Sequence, residues 1–236
     1  MKKIIFWCPF IGNVGTANAV LQSAKALSES KNYKCKVINV FGEFDRYQKF
    51  FDENNIEEIK LIKNRLLNLL PKNGFFWSRI NFILIFLLSF FPLLLYMKNN
   101  KKDYLFIYLI TSLPLILAKI FNLKNKIVFR VSGKINFSIW RKYILIFCKD
   151  KIFKIFVQTR YSREKLQNQK IFNISDIHLI YDQVIDLKKI NELKRQKIEN
   201  KYQKNKYFIA IGRLSHQKNF IFLVKCIKKI VKFENN

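Results

Sequence analysis

The run Tyr207-Phe208-Ile209-Ala210-Ile211-Gly212-Arg213-Leu214-Ser215-His216-Gln217-Lys218-Asn219 carries the residues best suited to chemistry. An apolar, strand-like run ends at Gly212, Arg213 follows, and Lys218 stands just ahead of the helix-like run Phe220–Phe233. Backbone N–H groups and two cations therefore converge at a strand-to-helix turn, which is the chemistry of an anion site. On spacing alone, Arg213 and Lys218 are equally readable as ordinary surface cations in a chain with 44 lysines and arginines.

Two further stretches have ligand-binding character. In Gly12-Asn13-Val14-Gly15 the glycines let backbone N–H groups at a helix start approach a ligand closely; a tight turn without a ligand is the alternative. The stretch lacks the G-x-G-x-x-G spacing of a dinucleotide fingerprint, which disfavours an NAD-dependent oxidoreductase. Arg130-Val131-Ser132-Gly133 falls at the end of a strand-like run, where open parallel sheets place their ligands. Arg130 there could meet an anionic acceptor group or a phosphate, with Ser132 and Gly133 as donors, or could close a loop through an ion pair. Cys8, Cys35, Cys148 and Cys226 are far apart, and with two histidines no zinc spacing arises, so no metal site is expected. The thiols read as reduced and mostly buried, as in a cytoplasmic protein. Neither His178 nor His216 is assigned a general-base role, and no catalytic residue is named.

The elements that must position these residues alternate between strand and helix. Lys3–Trp7 reads as a buried strand, Pro9–Gly15 as a loop, Thr16–Ser30 as a helix and Cys35–Phe41 as a second strand. A short strand candidate at Ile59–Ile62 and an amphipathic piece at Leu66–Leu70 follow. After Ile80–Met97 come strand Tyr104–Leu109, helix Pro114–Phe121 behind the Thr111-Ser112 junction, strand Lys126–Val131, helix Ile139–Phe147 and strand Ile152–Gln158. Next are a helix capped by Thr159 or Ser162 and a last strand at Ile177–Ile180. This rhythm predicts an α/β class with a Rossmann-like parallel sheet.

Charge and hydropathy bound the partners. The 236 residues carry a formal net charge of +28, but lysine is scattered along the whole length rather than clustered, so nucleic acid is not expected and an anionic membrane surface is. Ile80–Met97 has eighteen residues without a charge, the lower edge of what crosses a bilayer as a helix. A span, a core helix and a helix lying against a membrane surface all fit its length. A crossing would put the Gly12 loop and the Arg213 turn on opposite sides of the membrane, and Pro92 and Asn81 interrupt a clean span, so the second and third readings are preferred.

Taken in order, the glycine loop, the Arg130–Gly133 element, the Val157–Leu166 segment, the Tyr181–Asp186 exit and the Arg213/Lys218 turn resemble the retaining glycosyltransferases of family 4, which have the GT-B fold. The resemblance covers most of the chain and is most specific over Gly212–Asn219. It implies that Arg213 and Lys218 hold the diphosphate of a nucleotide-sugar donor, and that the Gly12 loop lies in the acceptor-side domain and faces the donor phosphates. It further implies transfer with retention to a glycan or lipid-linked acceptor in surface polysaccharide synthesis, with no cofactor beyond the donor and no required metal. Residues 1–186 would form the acceptor-side domain, 187–206 a linker with a helical part, and 207–236 the start of the donor domain.

One departure stands out. The family carries two glutamates with seven residues between them, downstream of the Arg/Lys turn, and this sequence has no such pair. The expectation is a transferase truncated within its donor domain, whose Phe208–Phe233 segment either docks onto the first domain or is loosely held with its apolar face at Phe222, Val224, Ile227, Ile230 and Val231 partly exposed. The missing glutamates also permit a non-catalytic basic membrane-surface protein. In either case the expected location is cytoplasmic, peripheral on the inner membrane face.

Overall fold

The structure is a computed structural model and describes residues 2–9, 15–40, 42–62, 75–108, 112–132, 135–181, 187–196, 208–212, 214 and 216–234. The chain divides into two compact units, Met1–Asp186 and Leu187–Asn236.

The first unit is built on one parallel sheet of seven strands: β1 (Lys2–Trp7), β2 (Tyr33–Asn39), β3 (Glu57–Lys60), β4 (Tyr104–Ile107), β5 (Lys126–Val131), β6 (Ile152–Val157) and β7 (Ile177–Leu179). Their order is β3-β2-β1-β4-β5-β6-β7, so the chain winds outward from β1 in one direction and, after β3, crosses back to wind outward in the other. Parallel strands need helical crossovers, and these have a fixed hand, so reversing the winding direction moves the helices to the opposite face. Helices α1 (Gly15–Glu29) and α2 (Gln48–Glu53) cover one face. On the other lie α3 (Phe75–Asn99), α4 (Leu113–Ile120), α5 (Ile139–Cys148) and α6 (Arg160–Gln167).

Alternation along the strands feeds two cores. Ile4 and Phe6 of β1 join Val20, Ala24 and Val37 on the α1 face. Ile5 and Trp7 join Leu93, Met97, Leu117, Leu145 and Leu166 on the other. Strands buried on both faces read as nearly continuous apolar runs, which explains why β1 and β5 contain so little polar punctuation.

The helix of the charge-free stretch is longer than its apolar run, reaching from Phe75 to Asn99 with Pro92 inside it. Leu93, Leu94 and Met97 pack into the same core as Leu113 and Leu115. The helix therefore lies on the sheet as one of its crossovers, and its Arg79–Asn99 part is long and apolar enough to cross a membrane by length and composition alone. The Thr159 cap is observed: its Oγ1 accepts from the Ser162 backbone N–H at 3.0 Å. Ser138 caps α5 in the same way, from Arg141. At α4, Ser112 sits at the cap position without a side-chain bond. Thr111 and Leu66–Leu70 lie outside the described residues.

The third strand, Glu57–Lys60, is shifted two residues toward the N-terminus from the expected Ile59–Ile62, and charge pairing at the sheet edge holds its first residue. Glu57 lies opposite Lys36 in the ladder and meets Lys36 Nζ at 2.6 Å and Lys34 Nζ at 3.1 Å. The hydrogen bond from Lys36 holds the Glu57 carboxyl below its ordinary value of 4.5, with burial opposing and Lys34 assisting. A depressed folded-state value contributes stability above about pH 4.5 that is lost as pH falls through it. Asp150 and Asp176 are lowered in the same way by Lys119 and Lys154. Glu57→Gln is expected to flatten the acid limb of a urea-midpoint-versus-pH curve, while costing less than about 1 kcal/mol at neutral pH because the pair is partly solvated.

The second unit contains α7 (Leu187–Lys194), a 3-10 turn at His216–Lys218 and α8 (Phe220–Glu234). The expected strand at Tyr207–Ile211 is not formed: residues 208–211 join no ladder among the described residues. Phe208, Ile209 and Ile211 are exposed. Strand propensity becomes a strand only where a neighbour supplies hydrogen bonds, and none is described here. Phe222, Val224 and Ile230 are exposed, the second of the two arrangements expected for this apolar face.

Candidate functional site

The C-terminal ends of the parallel strands gather the polar residues of the first unit. Arg130, the penultimate residue of β5, is only 4% exposed. Its guanidinium lies 4.4 Å from the ring centroid of Tyr108, just beyond β4. The Tyr108 hydroxyl in turn donates to Ser23 Oγ of α1 at 2.8 Å. A cation over an aromatic face in a desolvated site is held by the ring quadrupole, so three elements fix the direction of this arginine. Ser132 follows β5 and is half-buried.

Cys8, just beyond β1, shares this neighbourhood. Burial raises its thiol well above the ordinary value, Glu43 raises it further and Arg130 opposes. Cys35 is raised chiefly by burial, and Cys148 is pushed up to about 11 by burial and Asp150 against Lys119. These three buried thiols are protonated at neutral pH and unsuited to nucleophilic attack. The loop after β2 is pinned by Asn39, whose Nδ2 donates to Asp45 Oδ1 at 2.8 Å and whose Oδ1 accepts from the Gly42 N–H at 2.8 Å. Glu43 Oε1 accepts from the Val40 N–H at 3.0 Å, which places its carboxylate at the same edge of the sheet.

A cavity of about 480 Å³ runs along the α1 face of the sheet, lined by Ser23, Tyr104, Phe106, Tyr108, Arg130 and Phe156 among others. Its floor is aromatic: Phe106 packs on Phe6 at 5.5 Å, on Tyr108 at 5.1 Å and on Phe156 at 5.5 Å between centroids. Arg130 with the Ser23 and Tyr108 hydroxyls, in a trough that Lys2 and Lys154 also line, suits an amphiphile with an anionic or hydroxylated head. Among the described residues no group of three or more His, Cys, Asp and Glu is placed to hold a metal ion.

Of the residues singled out in the sequence, Arg130 and Ser132 lie together at this edge, and Gly15 opens α1. A Cβ at Gly15 would meet nothing within 4 Å, so the start of the helix is open. Gly12, Asn13 and Gly133 lie outside the described residues. Tyr108, Ser23, Cys8 and Glu43 were not anticipated. Tyr108 ends the β4 run much as Arg130 ends that of β5, and that position was the available signal.

In the second unit, Lys218 and His216 are exposed and Arg213 lies outside the described residues. Gly212 approaches the turn that follows closely: a Cβ there would come within 3.3 Å of the Phe220 ring and 3.6 Å of Lys218 Cγ. Asn219 takes φ 45°, a left-handed conformation that asparagine tolerates. Its Oδ1 accepts from the Phe222 N–H at 3.4 Å and so caps α8. The glycine and the asparagine of the motif thus both have structural reasons at the turn that opens α8.

No family model and no curated protein matches the sequence. Solved structures do match. A glycosyltransferase from Rickettsia africae aligns over 97% of this chain and 57% of its own, at 17% identity and a TM-score of 0.62. The UDP-N-acetylglucosamine 2-epimerase of Rickettsia bellii aligns over 86% of this chain and 51% of its own, at 13% identity and 0.51. Phytolacca americana UGT2, complexed with UDP-2-fluoro-glucose and pterostilbene, aligns over 83% and 57%, at 10% identity and 0.52. The chain thus spans about half the length of the structures it matches. What these likenesses establish is the architecture: a Rossmann-like α/β sheet of the GT-B type, shared by glycosyltransferases and UDP-GlcNAc 2-epimerases.

Proposed function

We propose that this chain belongs to a glycosyltransferase that moves a sugar from a nucleotide-diphosphate donor to a glycan or lipid-linked acceptor, with retention at the anomeric carbon as in family 4. The observation that carries the reading is the seven-stranded parallel sheet, which aligns over nearly the whole chain with a glycosyltransferase. The Gly212–Asn219 motif supports the family, since its glycine and asparagine fit the turn that presents Lys218.

In this reading Arg213 and Lys218 hold the donor diphosphate and neutralise the charge that develops as it departs, a preorganised electrostatic contribution that needs no metal. Gly15, at the open start of α1, belongs with Gly12 and Asn13 to the glycine loop that the resemblance assigns to the donor phosphates. Arg130 and Ser132, with Gly133, meet the acceptor. The aromatic trough beside Arg130 favours an acceptor with an apolar body, which fits a lipid-linked substrate taken from the inner face of a membrane. A second reading, a non-catalytic basic membrane-surface protein, is favoured by the exposed apolar residues of α3 and α5 together with the net charge of +28.

Calorimetric titration with UDP- and GDP-sugars separates the two. Saturable binding at micromolar to millimolar donor is expected, with one nucleotide preferred. Absence of heat with every donor at millimolar concentration would remove the transferase reading and leave the second.

A further inference from the structure

Two helices of the first unit carry an apolar stripe on their outward side in addition to the apolar residues they bury. In α5, Ile139, Trp140, Tyr143, Ile146 and Phe147 recur at helical spacing and form one stripe, and all five are exposed, Trp140 at 80%. The inward side of this helix contributes the buried Leu145 and Cys148 to the core, with Ile144 partly buried against it. In α3, Ile83, Leu87, Phe91 and Leu95 recur every four residues along the outward side, with Phe91 at 71% exposure. Asn81 and Ser89 of that helix are buried, beside Ile85, Leu93, Leu94 and Met97. A water-facing helix normally shows a polar outward side.

The two stripes belong to one layer. Helix α4 packs against both α3 and α5, the three share one core, and α4 adds the exposed Ile120 and Phe121. Contiguous apolar surface on this scale marks a docking face.

We propose that the outer surface of α3, α4 and α5 is a monotopic docking face for an anionic lipid bilayer, with the aromatic stripe of α5 seated at the headgroup level. The inference rests on the membrane-surface part of the reading above and is independent of the donor chemistry. Charge complementarity selects the occupant. Between Phe75 and Lys151 the only acids in the sequence are Asp103 and Asp150. Asp103 is buried, and Asp150 accepts a hydrogen bond from Lys119. Arg79, Lys98, Lys101, Lys102, Lys142 and Lys149 are exposed around the layer. Lys98 Nζ lies 5.2 Å from the Phe121 ring centroid and Lys119 Nζ 5.3 Å from that of Phe147, so cations border the apolar surface as snorkelling side chains do at a bilayer. Exposed Trp and Tyr suit the interface, where one end of the ring is apolar and the other wet, and each basic residue adds attraction to anionic headgroups.

The test is flotation of the full chain with phosphatidylcholine vesicles with and without phosphatidylglycerol, together with fluorescence of a Trp77→Phe variant, in which Trp140 is the exposed indole. Flotation with the anionic vesicles that weakens with salt is expected, as is a blue shift of Trp140. A Trp140→Ser/Phe147→Ser variant should lose roughly tenfold or more of its vesicle affinity through lost apolar burial. These side chains face outward, so the thermal midpoint should stay put, and the circular dichroism of the variant confirms folding. Flotation unchanged in the variant, equal binding to neutral vesicles, or no blue shift would overturn the proposal. So would concentration-dependent self-association that buries Trp140 without any vesicle binding. Donor titration of the same variants keeps the two readings apart: loss of vesicle binding with donor binding intact, or the reverse, assigns each failure to its own claim.

Discussion

Replacing Trp7 by alanine is expected to lower the unfolding free energy by about 3–5 kcal/mol, the usual cost of truncating a large buried aromatic. Trp7 is fully buried at the end of β1, opposite Ile38 of β2 and Ile107 of β4. It joins the core shared with α3 to α6. Because β1 is the strand from which both halves of the sheet wind outward, a cavity there weakens the attachment of both. Domains are stable by only about 5–15 kcal/mol, so the loss is a large part of the total. Urea unfolding followed by far-ultraviolet circular dichroism measures it. A drop below about 1 kcal/mol would mean that Trp7 does not sit in the sheet core.

The second large effect concerns the donor. Arg213→Ala and Lys218→Ala are each expected to weaken nucleotide-sugar binding roughly tenfold or more, since a hydrogen bond to a charged group is worth about 1.5–3 kcal/mol and 1.4 kcal/mol is tenfold. Lys218→Arg should retain part of the affinity, because charge is kept while geometry changes. Neither residue is in a described core, so thermal stability should move by less than about 0.5 kcal/mol. Calorimetry and a thermal melt on the same samples read both quantities. Unchanged donor affinity in the Lys218→Ala variant would return that lysine to the ordinary surface cations.

Much of the first unit was legible because its elements announce themselves locally. β5 runs over Lys126–Val131 with the bounds its apolar run suggested, and α1 and α5 agree with their periodicity to within a residue. What stayed hidden depends on position in the sheet. Tyr108 and Ser23 are 85 residues apart in sequence, and only the reversal of winding at β1 brings their hydroxyls to 2.8 Å. Periodicity likewise identified Ile139–Phe147 as a helix, but it does not say which side faces the sheet; the structure turns Ile139, Trp140, Tyr143, Ile146 and Phe147 outward. The run Phe208–Ile211 shows the opposite case. It has every local mark of a strand, yet a strand exists only with a partner, and among the described residues it has none.

The central claim, that the Gly212–Asn219 turn grips a diphosphate, is tested most directly by phosphorus-31 NMR of a UDP- or GDP-sugar titrated with the protein. Both diphosphate resonances are expected to shift and broaden with the wild-type chain and to return toward their free positions with Lys218→Ala. Resonances that stay sharp and unshifted with folded wild-type protein at millimolar donor would contradict it.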